Sequence, residues 1–546
     1  MEYLILGSII IILVFLVIHY SSKGKSKIEI EQIRSAWDNP KTNSFHFVSI
    51  RKYADVVKEE FHRLTDQTIE DIDFHRLFIF IDRTTSKVGQ QFLFKKVIEP
   101  TDKVEDQSEK FIELFTDDKD LREGIQLELL KLSDPDAYYI SSLLLLRDTL
   151  LVKPKWFKLI TLDVIIVSCL IILSFKFPGF LIILLFPIIV NMFLHIWNKN
   201  NTLQFTRSIP QLNLLINVSK GLIKRGDLLY DKSVAKSISN LKSFQRSASL
   251  VRFSQGGFQT DVSHYLYEIV KVFFLIEVFM VFKMVRELRD KRSSITTLFD
   301  YVGNIDASIS VASLRAGKLK TCRPVFKPVI KEVVVKNIYH PLIKNCVKNS
   351  LTISNRSVLI TGSNMSGKST FLRTLAINSI LAQTIYTCFA DEYSSPILKQ
   401  FSSIRIDDNL FEGKSYYFQE VNTMASLIAE VNLPHQNLFI LDEVFKGTNT
   451  VERIAAGKAV LSYLNRNDNI VVVSTHDIEL ADMLEGEYDL YHFTETVENN
   501  KLHFDHSMKP GQLRTRNAIR ILELSNYPAD IISEARQIST TLKTAR

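Results

Sequence analysis

The sequence predicts an α/β domain built around a phosphate-binding loop, placed C-terminal to a helix-rich region and accompanied by three apolar spans. Three observations predict it. A glycine-rich loop stands between an apolar strand and a helix at 357–376, two further apolar strands downstream end in chemically capable residues, and three apolar runs approach the length that crosses a bilayer.

The loop comes first because it meets the most requirements. Ser357-Val358-Leu359-Ile360 reads as a short buried strand, and Phe371 to Ala376 opens a helical pattern. Between them lie Gly362, Ser363, Asn364, Met365, Ser366, Gly367, Lys368, Ser369 and Thr370, which satisfy G-x-x-x-x-G-K-[ST]. Glycines at these positions let backbone N–H groups turn inward around a phosphate, and the helix N-terminus adds partial positive charge. Lys368 then reaches the β- and γ-phosphates of a nucleotide such as ATP, and Ser369 ligates Mg²⁺. A chance glycine-rich turn is the plain alternative, and the strand before and helix after disfavour it.

Two more strands supply the remaining parts of a hydrolytic site. Asn437 to Leu441 is a buried strand running into Asp442 and Glu443. Asp442 is the candidate Mg²⁺ partner, and Glu443 the candidate that polarises the attacking water. The competing reading is an acidic strand end that caps the next helix. Ile470 to Ser474 is a third strand, ending at Thr475-His476-Asp477. Ligands of parallel sheets bind at the C-terminal strand ends, which makes His476 a candidate γ-phosphate sensor rather than a packing histidine.

Together with what lies between and after them, these segments resemble the ATPase domain of the MutS family of DNA mismatch-repair proteins. The resemblance rests on GSNMSGKSTFLRT, on GKSYYFQEV at 413–421, on LDEVFKGTNTVE at 441–452, on STHD at 474–477 and on the tail HSMKPGQLRTRNAIRILELSNYPADIISEARQI. It implies an ABC-like domain in which Ser415 is the signature serine offered to the nucleotide of a partner subunit, so that a homodimer builds composite sites. It likewise implies that Asn364 lies near the nucleotide and that Gly447-Thr448 follow the acidic strand end. Ser363, Ser366 and Lys446 depart from the family's usual Pro, Gly and Arg.

Upstream, Asp71 to Phe78 and Ile81 to Gly89 look like the opening of the family's helical core and lever, and Tyr301 to Ala307 with Thr321-Cys322-Arg323-Pro324 look like its close. No mismatch-reading domain is expected ahead of residue 70, and the family's Phe-x-Glu wedge has no counterpart there. Phe111-Ile112-Glu113 fits that pattern formally but lies in an acidic helical stretch. No connector domain and no C-terminal nuclease-like module are expected either.

The apolar runs lie outside any MutS pattern. Tyr3–Tyr20 is 18 residues, followed by Lys23, Lys25 and Lys27, which reads as an uncleaved anchor with its C-terminal side cytoplasmic. Leu159–Trp197 is broken at Phe175 to Gly179 into two near-minimal spans flanked by lysines, with Asp163 as a costly charge inside the first. A buried helical hairpin is the competing reading. The expected fold is thus an α/β P-loop, ABC-like ATPase domain behind an all-α core and lever, with three transmembrane helices, in a multi-pass membrane protein whose core and ATPase are cytoplasmic. The expected divisions are an anchor (1–22), a linker (23–45), a first part of the core (46–155), a membrane hairpin (156–198), a second part of the core (199–325), the ATPase domain (326–537) and a tail (538–546).

Composition narrows the partners less sharply. The net charge is +7, and between Lys199 and Arg252 ten basic residues stand against Asp227 and Asp231. Such a stretch suits DNA phosphates or an anionic membrane surface. The four cysteines show no metal or paired spacing, so reduced domains without a zinc site are expected. The family resemblance implies ATP-driven DNA binding related to mismatch repair or recombination, while a membrane-tethered mechanical ATPase acting on a protein or lipid is the alternative. An ABC-type transporter is disfavoured by the MutS-type signature.

Overall fold

The computed structural model describes residues 27–42, 44–57, 61–102, 107–145, 154–247, 269–270, 272–328, 331–363, 365–405, 416–498, 501–513, 518–524 and 527–544. The chain divides into two compact units. Unit 1 comprises Met1–Lys58, Ile81–Lys95 and Gln107–Ala316, and unit 2 comprises Glu59–Phe80, Lys96–Asp106 and Gly317–Arg546.

Unit 1 is helical and organised around Arg292–Ala316, a 25-residue helix buried along most of its length. Small residues let neighbours approach it closely: a Cβ at Gly303 would lie 2.5 Å from Phe92, and one at Gly89 would meet the Asp306 carboxylate. Asp306 is completely buried and accepts from Thr85 N at 2.8 Å, Ser86 N at 2.7 Å and Ser86 Oγ at 2.6 Å, which ties the helix to the start of Lys87–Ile98. Tyr53 donates to Asp300 at 2.5 Å and stacks on Phe299 with ring centroids 4.0 Å apart, fixing Phe47–Val56 to the same helix.

The helical hairpin expected over 156–198 forms, as Pro154–Ser174 and Phe180–Ile223, but it corrects the membrane reading. Among the described residues no helix is long and apolar enough to cross a membrane, which overturns the expected transmembrane helices and the multi-pass localisation built on them. The first expected span, Tyr3–Tyr20, lies outside the described residues. The physical reason lies in the polar groups that hydropathy sums average away. Asp163 leaves only Val164–Ser174 as charge-free helix, about 17 Å at the helical rise, against a hydrocarbon core of about 30 Å. The second helix contains Pro187 and continues far past the apolar run, and it carries buried Asn191 and His195. Asn191 hydrogen-bonds Asp163 and donates to Phe273 O at 3.0 Å. Phe175, Ile182, Phe186 and Phe193 nevertheless stay largely exposed.

Among the described residues, unit 2 contains the two-stranded sheet of β10 (Glu495–Glu498) and β11 (Lys501–Phe504) and two larger sheets. The smaller of these two has the order β1-β5-β2-β3 (Val325–Phe326, Glu392–Ser395, Glu332–Ile338 and Asn349–Ser354), and β3 alternates buried with exposed positions as a half-covered strand must. The larger has the order β12-β9-β4-β8-β7-β6, where β4 is Ser357–Thr361, β6 Lys399–Ser403, β7 Asn437–Asp442, β8 Ile470–Thr475, β9 Tyr488–His492 and β12 Lys509–Pro510. Strands β6, β7, β8, β4 and β9 run parallel. Every residue of β4 and β8 is buried, as expected of strands covered on both faces. Leu359, Phe439, Leu441, Val471 and Val473 pack against Leu427, Leu461 and Leu464 from two helices, Tyr416–Glu430 and Thr450–Leu464. The helix Lys368–Ile385, buried almost throughout, packs on the same sheet.

Residues 59–80 and 96–106 belong to this unit through buried polar contacts. Asp71 accepts from Ser402 Oγ at 2.6 Å, Ile404 N at 3.0 Å and Arg405 N at 2.7 Å, so a buried carboxylate is fully used at the end of β6. His62 meets Gln400 O at 2.9 Å, and burial pushes its pKa down to about 4.

Candidate functional site

Parallel pairing brings the C-terminal ends of β4, β8 and β7 side by side, with Thr361 opposite Thr475 and Ser474 opposite Asp442. These three ends carry the residues of the site.

From β4 the chain turns through the glycine loop. Gly362 has φ +152°, and a Cβ there would lie 2.7 Å from Phe493 O, so only glycine fits; Gly367 has φ +117°. Met365 is left-handed at φ 70° and largely exposed. Ser363 Oγ donates to Glu495 at 2.6 Å, and Ser366 Oγ donates to Ser363 O at 2.8 Å. Ser366 O also contacts His506 Nδ1 at 3.0 Å. Asn364 lies outside the described residues.

Lys368 begins the following helix and is almost fully buried. Its ammonium donates to Gly362 O at 2.8 Å and Ser363 O at 3.0 Å, and lies 3.3 Å from His476 Nε2. Burial pulls its pKa down to about 8, partly offset by Asp442 and Glu443. Ser369 Oγ donates to Asp442 Oδ2 at 2.5 Å, while Ser474 donates to the other carboxylate oxygen. Thr370 joins Lys368 and Ser369 in lining a cavity of about 400 Å³, whose apolar wall includes Ile338, Ile343, Val347 and Phe371.

Glu443 is the residue whose geometry is least ordinary. It sits at φ 55°, with its N–H donating to Ser474 O at 2.9 Å. Its carboxylate contacts His476 Nε2 at 2.5 Å and Lys446 Nζ at 3.1 Å. Burial raises its pKa, but these two partners outweigh it and hold the group down at about 2. Glu443, Lys446, His476, Arg453 and Asp477 line a second cavity of about 300 Å³. Arg453 grips Asp477 through two bonds of 2.8 and 2.7 Å, which fixes the turn that carries His476.

Lys368, His476 and Glu443 therefore form one run of contacts and Ser369 and Asp442 another, both at these adjoining strand ends. Ser415 lies outside the described residues, immediately before the helix Tyr416–Glu430. That helix contributes a residue to which sequence reasoning gave no role. Glu420 is buried and accepts from Lys446 N at 2.9 Å and Gly447 N at 3.0 Å, so it ties down the turn after Glu443. Its only sequence signal is a carboxylate on the inward face of a helix.

Residues 358–543, which carry every one of these contacts from the sheet side, match the profile of MutS domain V. This part of the chain is similar to MutS domain V. Curated relatives agree: the DNA mismatch repair protein MutS of Lactobacillus delbrueckii subsp. bulgaricus is 32% identical over 234 residues, covering 41% of this chain and 27% of the relative. The MutS proteins of Pseudothermotoga lettingae and Listeria monocytogenes are each 30% identical, covering 46% and 48% of this chain and 32% of their own lengths. The chain thus spans about a third or less of the length of these MutS relatives.

Proposed function

We propose that unit 2 houses a Mg²⁺-dependent ATPase, with the domain occupying 326–537, and that it works in a homodimer in which Ser415 completes the partner's nucleotide site. The observation that carries this reading is the convergence of Lys368, Ser369, Asp442, Glu443 and His476 at three adjacent strand ends. The donor set around Asp442 suits the metal, because Ser369 and Asp442 offer only hard oxygen ligands, which Mg²⁺ prefers. Ser369 and Asp442 would hold the ion, which supplies positive charge beside the phosphates.

On binding ATP, Lys368 exchanges its bonds to the Gly362 and Ser363 carbonyls for phosphate oxygens, neutralising charge that grows during transfer. Glu443 stays ionised at any ordinary pH. Its low pKa makes it a weak base, so its role is to orient the attacking water by accepting a hydrogen bond, after giving up Lys446 or His476 as a partner. His476, between Glu443 and Lys368, is placed to sense the terminal phosphate.

The names of the relatives and the basic stretch 199–252 support a second part of the proposal, that nucleotide turnover is coupled to DNA in a process related to mismatch repair or recombination. ATP hydrolysis by the full chain, measured with and without Mg²⁺ and with duplex, mismatched or branched DNA across a salt series, tests both parts. Mg²⁺-dependent hydrolysis stimulated by DNA, with stimulation fading as salt rises, is expected. Hydrolysis indifferent to every DNA would refute the coupling, and no hydrolysis under any condition would refute the ATPase.

A further inference from the structure

Cys322 and Cys388 are far apart in sequence and directly opposite one another in unit 2. They form an isolated antiparallel bridge in which Cys322 N donates to Cys388 O at 2.9 Å and Cys388 N donates to Cys322 O at 3.0 Å. Residues that exchange both backbone bonds hold their Cα atoms about 5.5 Å apart with side chains on one face. That separation falls inside the range of about 4.4–6.8 Å spanned by disulfides. The two thiols also hydrogen-bond to each other. Cys388 is buried and Cys322 half-buried, so one sulfur of the pair can be reached from solvent.

We infer that Cys322 and Cys388 are an oxidative modification site that closes into a reversible disulfide on exposure to a peroxide. The Cys322 thiolate attacks one peroxide oxygen, the O–O bond breaks, and a sulfenic acid and one water result. Cys388 Sγ then displaces the hydroxyl, forming the S–S bond and releasing the second water. Two thiols lose two electrons and two protons, and the peroxide is reduced to two waters. Cys322 leads because it is the accessible sulfur. Its bond from Cys388 also lowers its pKa, against the opposing effects of burial and of Asp391 and Glu392.

Closing the bond requires a small backbone shift, because directly opposed Cβ atoms stand about 4.5–5.5 Å apart whereas disulfide Cβ atoms average about 3.8 Å. The resulting disulfide is strained and readily reduced. It joins the segment leading into β1 to the turn after the helix Lys368–Ile385, where Asn378 Oδ1 accepts from Phe389 N at 2.5 Å and Phe389 O accepts from Tyr339 N at 3.0 Å.

The test uses the full chain treated with hydrogen peroxide and is read by thiol chemistry alone, independently of any nucleotide activity. Free thiols should fall from four to two, a protease digest should contain the Cys322 peptide joined to the Cys388 peptide, and dithiothreitol should restore all four. Cys322→Ser should keep its three remaining thiols at the same dose. Cross-links through Cys169 or Cys346, a sulfenic acid at Cys322 that never resolves, or four surviving thiols would each overturn the inference. The digest of the unaltered chain decides the matter even if the variant fails to fold.

Discussion

The affinity of the site for ATP should depend on pH through Lys368, in a direction and window that the structure specifies. In the ligand-free site the ammonium is buried against two carbonyls, and its pKa is lowered from 10.5 to about 8. A shift of that size means the free protein carries a penalty of about 3 kcal/mol for keeping the charge buried. Phosphate oxygens stabilise the charged form, so binding raises the pKa again, and the nucleotide selects protein that still holds the proton. About a unit or more below pH 8 nearly all of it does, and affinity is flat. Above pH 8 each unit removes up to tenfold of the competent form, so the dissociation constant at pH 9 should be ~10-fold weaker than at pH 7.5. Titration of a fluorescent ATP analogue between pH 7.5 and 9.5 reads this directly, because the triphosphate is fully ionised throughout. Lys368→Met should bind at least ~100-fold more weakly, as expected for the loss of a buried charge contact with phosphate, and with no slope above pH 8. Flat affinity in the unaltered protein, or the same slope in Lys368→Met, would refute the assignment.

Other positions give independent tests. Gly362→Ala should cost about 2 kcal/mol or more, from a backbone region that only glycine occupies with ease and from the clash with Phe493 O, and should depress nucleotide binding while leaving helical content intact by circular dichroism. Glu420→Ala takes the carboxylate acceptor from the N–H groups of Lys446 and Gly447, at about 1 kcal/mol each; urea denaturation should show the loss, and stability unchanged from the parent would remove Glu420 from its role. Asp306 has its folded pKa raised by burial from 3.8 to about 6, so its contribution to stability is greatest below pH 4 and is lost as pH rises towards 6. Asp306→Asn should therefore compare worse with the parent at pH 4 than at pH 7, by about 3 kcal/mol, and an equal difference at both would contradict the raised pKa.

What was legible in the sequence was what is encoded locally. The strand, glycine loop and helix at 357–376 announce themselves because the phosphate loop needs glycines at fixed offsets, and Gly362 and Gly367 do take positive φ. The strands before Asp442 and His476 were legible as short apolar runs because both faces of a parallel sheet are covered. What escaped was long-range. Glu495 and His506 brace the loop from more than 130 residues downstream, and nothing in their neighbourhood signals it. The Cys322–Cys388 bridge defeats any rule based on spacing, since two segments become neighbours only when the β1-β5-β2-β3 sheet assembles. Hydropathy misjudged 159–197 for the related reason that it sums residues without seeing that Asp163 and Asn191 pair across a helical hairpin.

The most direct test of the central claim is single-turnover ATP hydrolysis by the full chain and by Glu443→Gln, compared at equal nucleotide occupancy. Glu443 contacts His476 and Lys446 but neither the glycine loop nor the Ser369–Asp442 pair, so its replacement should leave binding within a few-fold and slow hydrolysis by ~100-fold or more. Hydrolysis at the parent rate, or binding lost along with it, would contradict the account.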